Sequence, residues 1–275
     1  MNILAFGLLL ANFAFPPVSI RTATLRPATL AAFQKYVQAA EARIAKEEHD
    51  PDDFLYFDRL PAARRRAIIQ SLKQGQVFIT KMTTQDSSGH EISVPDGLIH
   101  HWLGIAFVPG ISLRRVLDTV EDYNHQQYDY APQVVRSRLL ARHGNDFKVY
   151  LRLREQKIIT ITLDTWHDVR YARLDATHVS SRSISTRIQE VENAGEKDEY
   201  LLPPGRDGGF LWRINSYWRF EERGGGVYVE CESISLTRDI PTGFGWLVGP
   251  FVNSIPRETL ESTLTDTRAA VLKRR

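Results

Sequence analysis

The spacing of apolar residues changes twice along the chain. Between Thr29 and Lys46, Leu30, Phe33, Tyr36, Val37, Ala40 and Ile44 recur at helical intervals. Arg26–Thr29 suits the start of that helix and Asp50-Pro51-Asp52-Asp53 its end. A second helix is predicted over Pro61–Lys73, with Pro61 in its first turn and Gly75 closing it. From Gln76 onward the period shortens to two, which is the spacing of strands. Gln76–Met82 is a short strand candidate, and Ile99–Val108 is a longer one that stops at Pro109-Gly110. Leu113–Tyr123 returns to helical spacing, with Ser112 placed as its cap. Six strands are then predicted: Val134–Ala141, Phe147–Glu155, Ile158–Leu174, Val179–Glu192, Phe210–Glu222 and Val227–Arg238.

Most of these strands are joined by short turns, such as His143-Gly144-Asn145-Asp146 and Asp175-Ala176-Thr177. Links this short force antiparallel pairing, because a parallel pair needs a long crossover. Gly224-Gly225-Gly226 is a hairpin signal, and Ala194–Gly209, rich in Gly, Pro and charge, is predicted to be a long loop. The chain ends in a helix over Ser254–Lys273, whose stripe is Ile255, Leu260, Leu264, Ala269 and Leu272. Strand, helix, six strands and a long helix make an α+β fold built on a curved antiparallel sheet of seven strands.

Composition narrows the classes. The chain has 275 residues, and 35 Lys+Arg against 33 Asp+Glu leave a formal charge of +2, which is not the footprint of a nucleic-acid binder. A single cysteine, Cys231, excludes an intrachain disulfide and a Cys-rich metal site. Residues 1–20 carry no charge, and Ile3–Phe15 is almost wholly apolar before Pro16-Pro17. A membrane-spanning helix needs about 20 such residues, so this run reads as the apolar region of a signal peptide, predicting export to the periplasm or outside the cell. Arg64-Arg65-Arg66 reads as a solvated helix face.

Catalytic and metal chemistry finds little footing. His100 and His101 are adjacent on a strand and face opposite sides, so they cannot hold one ion together. His167 faces away from Asp164 and Trp166 by the same rule. No Gly-x-Ser-x-Gly turn is present, and Cys231 reads as a small core hydrophobe. No cofactor, metal or catalytic residue is therefore assigned. The charged strand positions are more informative. Along Phe210–Glu222, Phe210, Trp212, Ile214, Ser216, Trp218 and Phe220 share one face, while Arg213, Asn215, Tyr217, Arg219 and Glu221 share the other. Glu230 and Glu232 share a side with Tyr228, Ile234 and Leu236. This Arg–Glu ladder is expected to solvate an outer sheet face; the alternative is a polar floor in a ligand cavity.

The opening strand with Pro109-Gly110, the helix Ser112–Tyr123 running into Tyr130-Ala131-Pro132, the strand Val227–Arg238 and the helix entered through Ser254-Ile255-Pro256-Arg257 together resemble the helix-grip fold of the START-like (SRPBCC) superfamily. That superfamily includes polyketide cyclases, coenzyme-Q-binding proteins and lipid-binding proteins. The resemblance spans Ile99–Lys273 and divides the chain into residues 1–20, a helical extension with a short strand over 21–98, and a helix-grip domain over 99–275. It implies a hydrophobic small molecule or lipid held without chemistry between sheet and C-terminal helix, with transient contact to a membrane. Alternation and aromatic clustering nominate Tyr123, Tyr130, Arg187, Trp212, Trp218, Glu230, Glu232, Trp246 and Phe251 as contacts, and Phe244–Phe251, set among glycines, as a gate. Two alternatives stand beside this reading. One is a cyclase- or dehydratase-type enzyme using a buried carboxylate or Tyr; the other is a protein-interaction module with a filled core and partner-binding helices over Glu41–Lys73.

Overall fold

The structure, a computed structural model, describes residues 22–157, 159–203, 206–239 and 245–274, with the side chains of 245–253 outside the description. The proposed signal segment, Phe244 and the side chains of the rest of the suggested gate, Trp246 and Phe251 among them, therefore lie outside the described residues. The elements are α1 (Pro27–Glu48), a 3-10 turn (Tyr56–Arg59), α2 (Ala62–Lys73), β1 (Phe78–Lys81), β2 (Gly97–Pro109), α3 (Leu113–Val120) and α4 (Gln126–Asp129). They continue with β3 (Val134–His143), β4 (Asp146–Gln156), β5 (Thr160–Arg173), β6 (His178–Glu192), β7 (Tyr200–Leu201), β8 (Arg213–Glu222), β9 (Gly226–Arg238) and α5 (Gly245–Lys273).

Among the described residues one sheet holds every strand, in the order β1-β2-β9-β8-β6-β5-β4-β3, with β7 added at the end of β6. All the pairs are antiparallel. The meander β3 to β9 follows from its short turns. At the β8–β9 hairpin, Gly224 and Gly225 take φ of +65° and +84°, a region closed to most side chains, and Arg223 N–H donates to the Gly226 carbonyl at 3.0 Å. The pairing of β9 with β2 brings the two ends of the domain side by side and sets α5 across the sheet. This is the helix-grip arrangement that the sequence predicts.

Several boundaries differ from expectation. The sheet has nine strands, not seven, because β1 joins the edge of β2 and β7 forms inside the loop over Ala194–Gly209. Two residues are too few to show a period, so β7 was not legible. The helix expected over Leu113–Tyr123 stops at Val120, and α4 follows as a separate turn. The last helix starts at Gly245 rather than Ser254, with Pro250 and Pro256 inside it. Proline removes an N–H and is ordinarily read as a helix start or stop, which misplaced the boundary.

Helices cover both faces of the sheet. On one face, here called the grip face, Leu260, Leu264 and Val271 of α5 pack with Val116, Leu117 and Val120 of α3 over Ala106, Val108, Phe147, Val169, Phe220 and Val229. Gly104 lies beneath α5, where a Cβ would stand 2.5 Å from Leu264 Cδ1 and 2.6 Å from Ile79 Cδ1. On the back face, Phe33, Tyr36, Val37, Ala40 and Ile44 of α1 cover Tyr217, Ile234 and Leu236. Phe54, Leu55, Phe57, Ile68 and Leu72 cover Leu103, Ile105, Phe107 and Tyr228. Each apolar side chain fully buried there contributes about 1.5–3 kcal/mol. The back face of β2, β9 and β8 is thus not the solvated outer surface expected from its charges.

Candidate functional site

Residues of β8 and β9 divide between two different environments, and the division decides what each can do. On the back face, Arg219 is only 1% exposed and lies at the centre of a buried ionic cluster. Its guanidinium donates to Glu47 of α1 at 2.9 Å and to the Phe54 carbonyl at 2.6 Å, and stands 3.2 Å from Glu230 and 3.6 Å from Glu232. Arg43 grips Glu47 through two hydrogen bonds of 2.9 Å and also binds Glu232, while Arg59 stands 2.7 Å from Glu47. His101 Nε2–H donates to Glu232 at 2.6 Å, and its Nδ1 shares a hydrogen bond of 2.8 Å with the Tyr36 hydroxyl.

The two strand carboxylates are held in opposite states by their neighbours. Burial pushes Glu230 up to about 7 against the pull of Arg219 and of the Tyr56 N–H, which reaches it at 2.7 Å. Burial also pushes Glu232 upward, but the His101 hydrogen bond and the charges of Arg43 and Arg219 outweigh it and hold the group at about 2. Three guanidinium groups face three carboxylates, so the cluster is an internal ion-pair network that ties α1 and the 3-10 turn to the sheet. Glu230 and Glu232 therefore do not line the space between sheet and α5. Trp212 is also on this side, in the apolar cluster that α1 forms with the sheet, because it precedes β8 and escapes its alternation. Arg187 is exposed on the back of β6, its guanidinium 4.6 Å from the ring centre of Trp166.

The grip face holds three more of the nominated residues, Tyr123, Tyr130 and Trp218. Tyr123 lies in the apolar core, its hydroxyl 3.0 Å from that of Tyr171, and burial raises it well above the ordinary phenol range. The Tyr130 hydroxyl meets Thr267 of α5 at 3.0 Å, and burial pushes it up to about 12. Neither phenol is placed to lose a proton near neutral pH. Trp218 is half-buried and stacks on Phe220 with ring centres 6.1 Å apart.

Beside Trp218 is a group of residues that the sequence reading passed over. Register places Ser183 of β6, Ser216 of β8, Ser233 of β9 and Trp102 of β2 in one row across the grip face. All four are half-buried. The next row toward α3 is Tyr171, Ser181, Trp218, Cys231 and Gly104; the row on the other side includes His167, Ser185, Ile214, Ser235 and His100. Burial holds both His100 and His167 down at about 4, so they are neutral. The alternate serines 181, 183 and 185 were the available signal, but a serine on a strand ordinarily marks a solvated face.

Among the described residues, no group of three or more His, Cys, Asp or Glu side chains is arranged to hold a metal ion. No described helix is long and apolar enough to cross a membrane. A hollow of about 460 Å³ between Gly110–Ser112 and Glu222–Gly226 is lined by polar turn residues, and its Glu222 carboxylate already accepts the Leu113 N–H at 2.7 Å.

No family model and no curated protein sequence matches the chain. Solved structures similar to it include a STAR-related lipid transfer protein fragment from Xanthomonas axonopodis, at 17% identity over 70% of this chain and 98% of that one, with a TM-score of 0.44. Human STARD10 is similar at 13% identity over 78% and 81% of the two chains, with a TM-score of 0.48. The ZhuI aromatase/cyclase from Streptomyces sp. R1128 is similar at 13% identity over 64% and 96%, with a TM-score of 0.39. The structural neighbours of the chain are START-like (SRPBCC) proteins, the superfamily that its order of strands and helices resembles.

Proposed function

We propose that the chain binds a hydrophobic small molecule or lipid on the grip face, beneath the first half of α5, without chemistry. One observation carries this reading: Trp102, Trp218, Leu151 and Ile214 stay half-buried on a face that α5 covers, while the α3 end of the same face is packed shut. Large apolar surfaces left partly open inside a fold mark a binding site more often than a defect of packing. The driving force would be the transfer of apolar ligand surface out of water, worth roughly 25 cal/mol per Å² buried. The START-like resemblance implies the same class of ligand.

The two alternatives lose their particular supports. An acid–base role for Glu230 or Glu232 requires them beside the ligand, and both face α1 and the 3-10 turn instead. The apolar side chains of Glu41–Lys73, offered as partner-binding helices, are spent on the chain's own sheet: Ile44, Phe54, Leu55, Phe57, Ile68 and Leu72. Export by way of residues 1–20 and transient membrane contact belong to the same proposal and rest on the sequence alone. Native mass spectrometry of the full chain, gentle and then denaturing, tests the reading. A co-purified apolar molecule supports it. An empty protein that no member of a lipid library stabilises against heat removes it.

A further inference from the structure

The grip face differs along its length in a way that bears on the ligand's polar end, and this step rests on the binding reading above. Toward α3 the face carries the apolar side chains of Ala106, Val108, Phe220, Val227 and Val229, with Glu222 at its rim on the first N–H of α3. Toward the start of α5 it turns into small hydroxyls. Ser183, Ser216 and Ser233 are directly opposed across three neighbouring strands, with Trp102 next on β2 and the exposed Lys81 of the edge strand β1 beyond it. The Ser216 and Ser233 hydroxyls make no hydrogen bond to any described residue, although each is half-buried. Ser183 has a single contact of 3.5 Å to His167 Nδ1, and His167 Nε2 is already engaged with Thr165 at 2.9 Å. From β5 to β2, this row and the rows on either side of it carry no Lys, Arg, Asp or Glu.

A hydroxyl both donates and accepts, so a row of serines can hydrogen-bond an alcohol, an ester or a ketone equally well. It has no formal charge with which to balance an ionised head, and an ion brought out of water without a partner is strongly disfavoured. We infer that this site selects an uncharged lipid whose polar end is a hydroxyl or carbonyl group, held by Ser183, Ser216 and Ser233, over fatty acids and phospholipids. The apolar body of such a ligand would lie along Trp102 and Trp218.

The test uses the full-length protein at pH 8 and four probes that share one sixteen-carbon chain: hexadecan-1-ol, 1-monopalmitoylglycerol, palmitate and palmitoyl-lysophosphatidate. Affinities are measured by titration under native mass spectrometry. The alcohol and the glycerol ester should bind at least ten-fold more tightly than either anion. The double variant Ser216→Ala, Ser233→Ala should weaken the glycerol ester five-fold or more with unchanged melting temperature, since neither hydroxyl is used inside the fold. Should the double variant fail to fold, Ser216→Ala alone is read in the same way. Anions binding as tightly as the neutral pair would overturn the inference while leaving the binding function in place, and so would neutral-lipid affinity that ignores the serines. Failure of all four probes to bind would instead overturn the binding function and this inference with it.

Discussion

The guanidinium of Arg219 on β8 lies 2.9 Å from the carboxylate of Glu47 on α1, and both groups are buried. Two segments 172 residues apart in the chain are thereby joined in the layer between helix and sheet. Glu47 also meets Arg43 and Arg59, so its removal leaves three guanidinium groups facing only Glu230 and Glu232. Glu47→Ala should cost about 3–5 kcal/mol, the range for breaking a buried pair from one side. The exposed pair Arg26–Asp96, at a similar 3.0 Å, supplies the contrast. Arg26→Ala should cost less than about 1 kcal/mol. Urea unfolding of the two variants beside the parent protein checks both values, and equal losses would show that burial does not set the worth of these pairs.

Glu230 gives the cluster a pH dependence whose sign can be worked out. Its folded value of about 7 is above the ordinary 4.5, so the folded state holds the proton more tightly than the unfolded chain does. Stability from this group is therefore fully present below about 4.5 and is lost as pH rises through 7. Glu232 acts in the opposite sense: held at about 2, it stabilises fully above 4.5 and its contribution is lost as pH falls through 2. The stability of the parent minus that of Glu230→Gln should fall by about 3 kcal/mol between pH 4.5 and 7.5 and then level off. Taking the difference cancels His100 and His167, which both titrate at about 4. A flat difference across that range would mean that Glu230 stays ionised throughout.

Some of this was legible in the sequence and some was not, for identifiable reasons. Alternation placed Ser216 with Trp218, and Glu230 with Glu232, on their correct shared sides. It could not say which side faces α5, because both faces of β8 and β9 are covered and an ionic ladder looks the same under water as under a helix. The stripe Phe33, Tyr36, Val37, Ala40 and Ile44 announced a buried face for α1 but not the surface that receives it. Trp212 was misassigned by carrying the period of β8 one residue beyond its start at Arg213. The serine row could be seen only once the register was known, since three residues from three strands make it.

Gly104 sets how closely α5 approaches the sheet. A Cβ there would meet Leu264 Cδ1 at 2.5 Å and Ile79 Cδ1 at 2.6 Å, distances that demand movement of two packed side chains. Inserting carbon into a filled core costs typically about 1–3 kcal/mol. Gly104→Val should lose stability at the upper end of that range, and Gly104→Ala less. Because the contact is with the middle of α5, both should also change ligand affinity by lifting the helix. Thermal unfolding with and without a saturating neutral lipid separates the two effects: an affinity unchanged in a destabilised Gly104→Val would confine the glycine to packing.

Trp212 and Trp218 are six positions apart on one segment and should behave as opposites. Trp212 is 6% exposed on the back face among α1 side chains, so its loss creates a cavity far from the grip face. Trp212→Ala should cost about 3–5 kcal/mol of stability while the folded fraction binds ligand with parental affinity. Trp218 is half-buried on the grip face, stacked on Phe220 and one row from Ser216 and Ser233. Trp218→Ala should cost less stability, because less of its surface is buried, yet weaken ligand binding ten-fold or more. Urea unfolding paired with ligand titration of each folded variant reads both quantities. Equal affinity in a folded Trp218→Ala would remove the residue from the site, and with it the placement of the ligand's apolar body along this row.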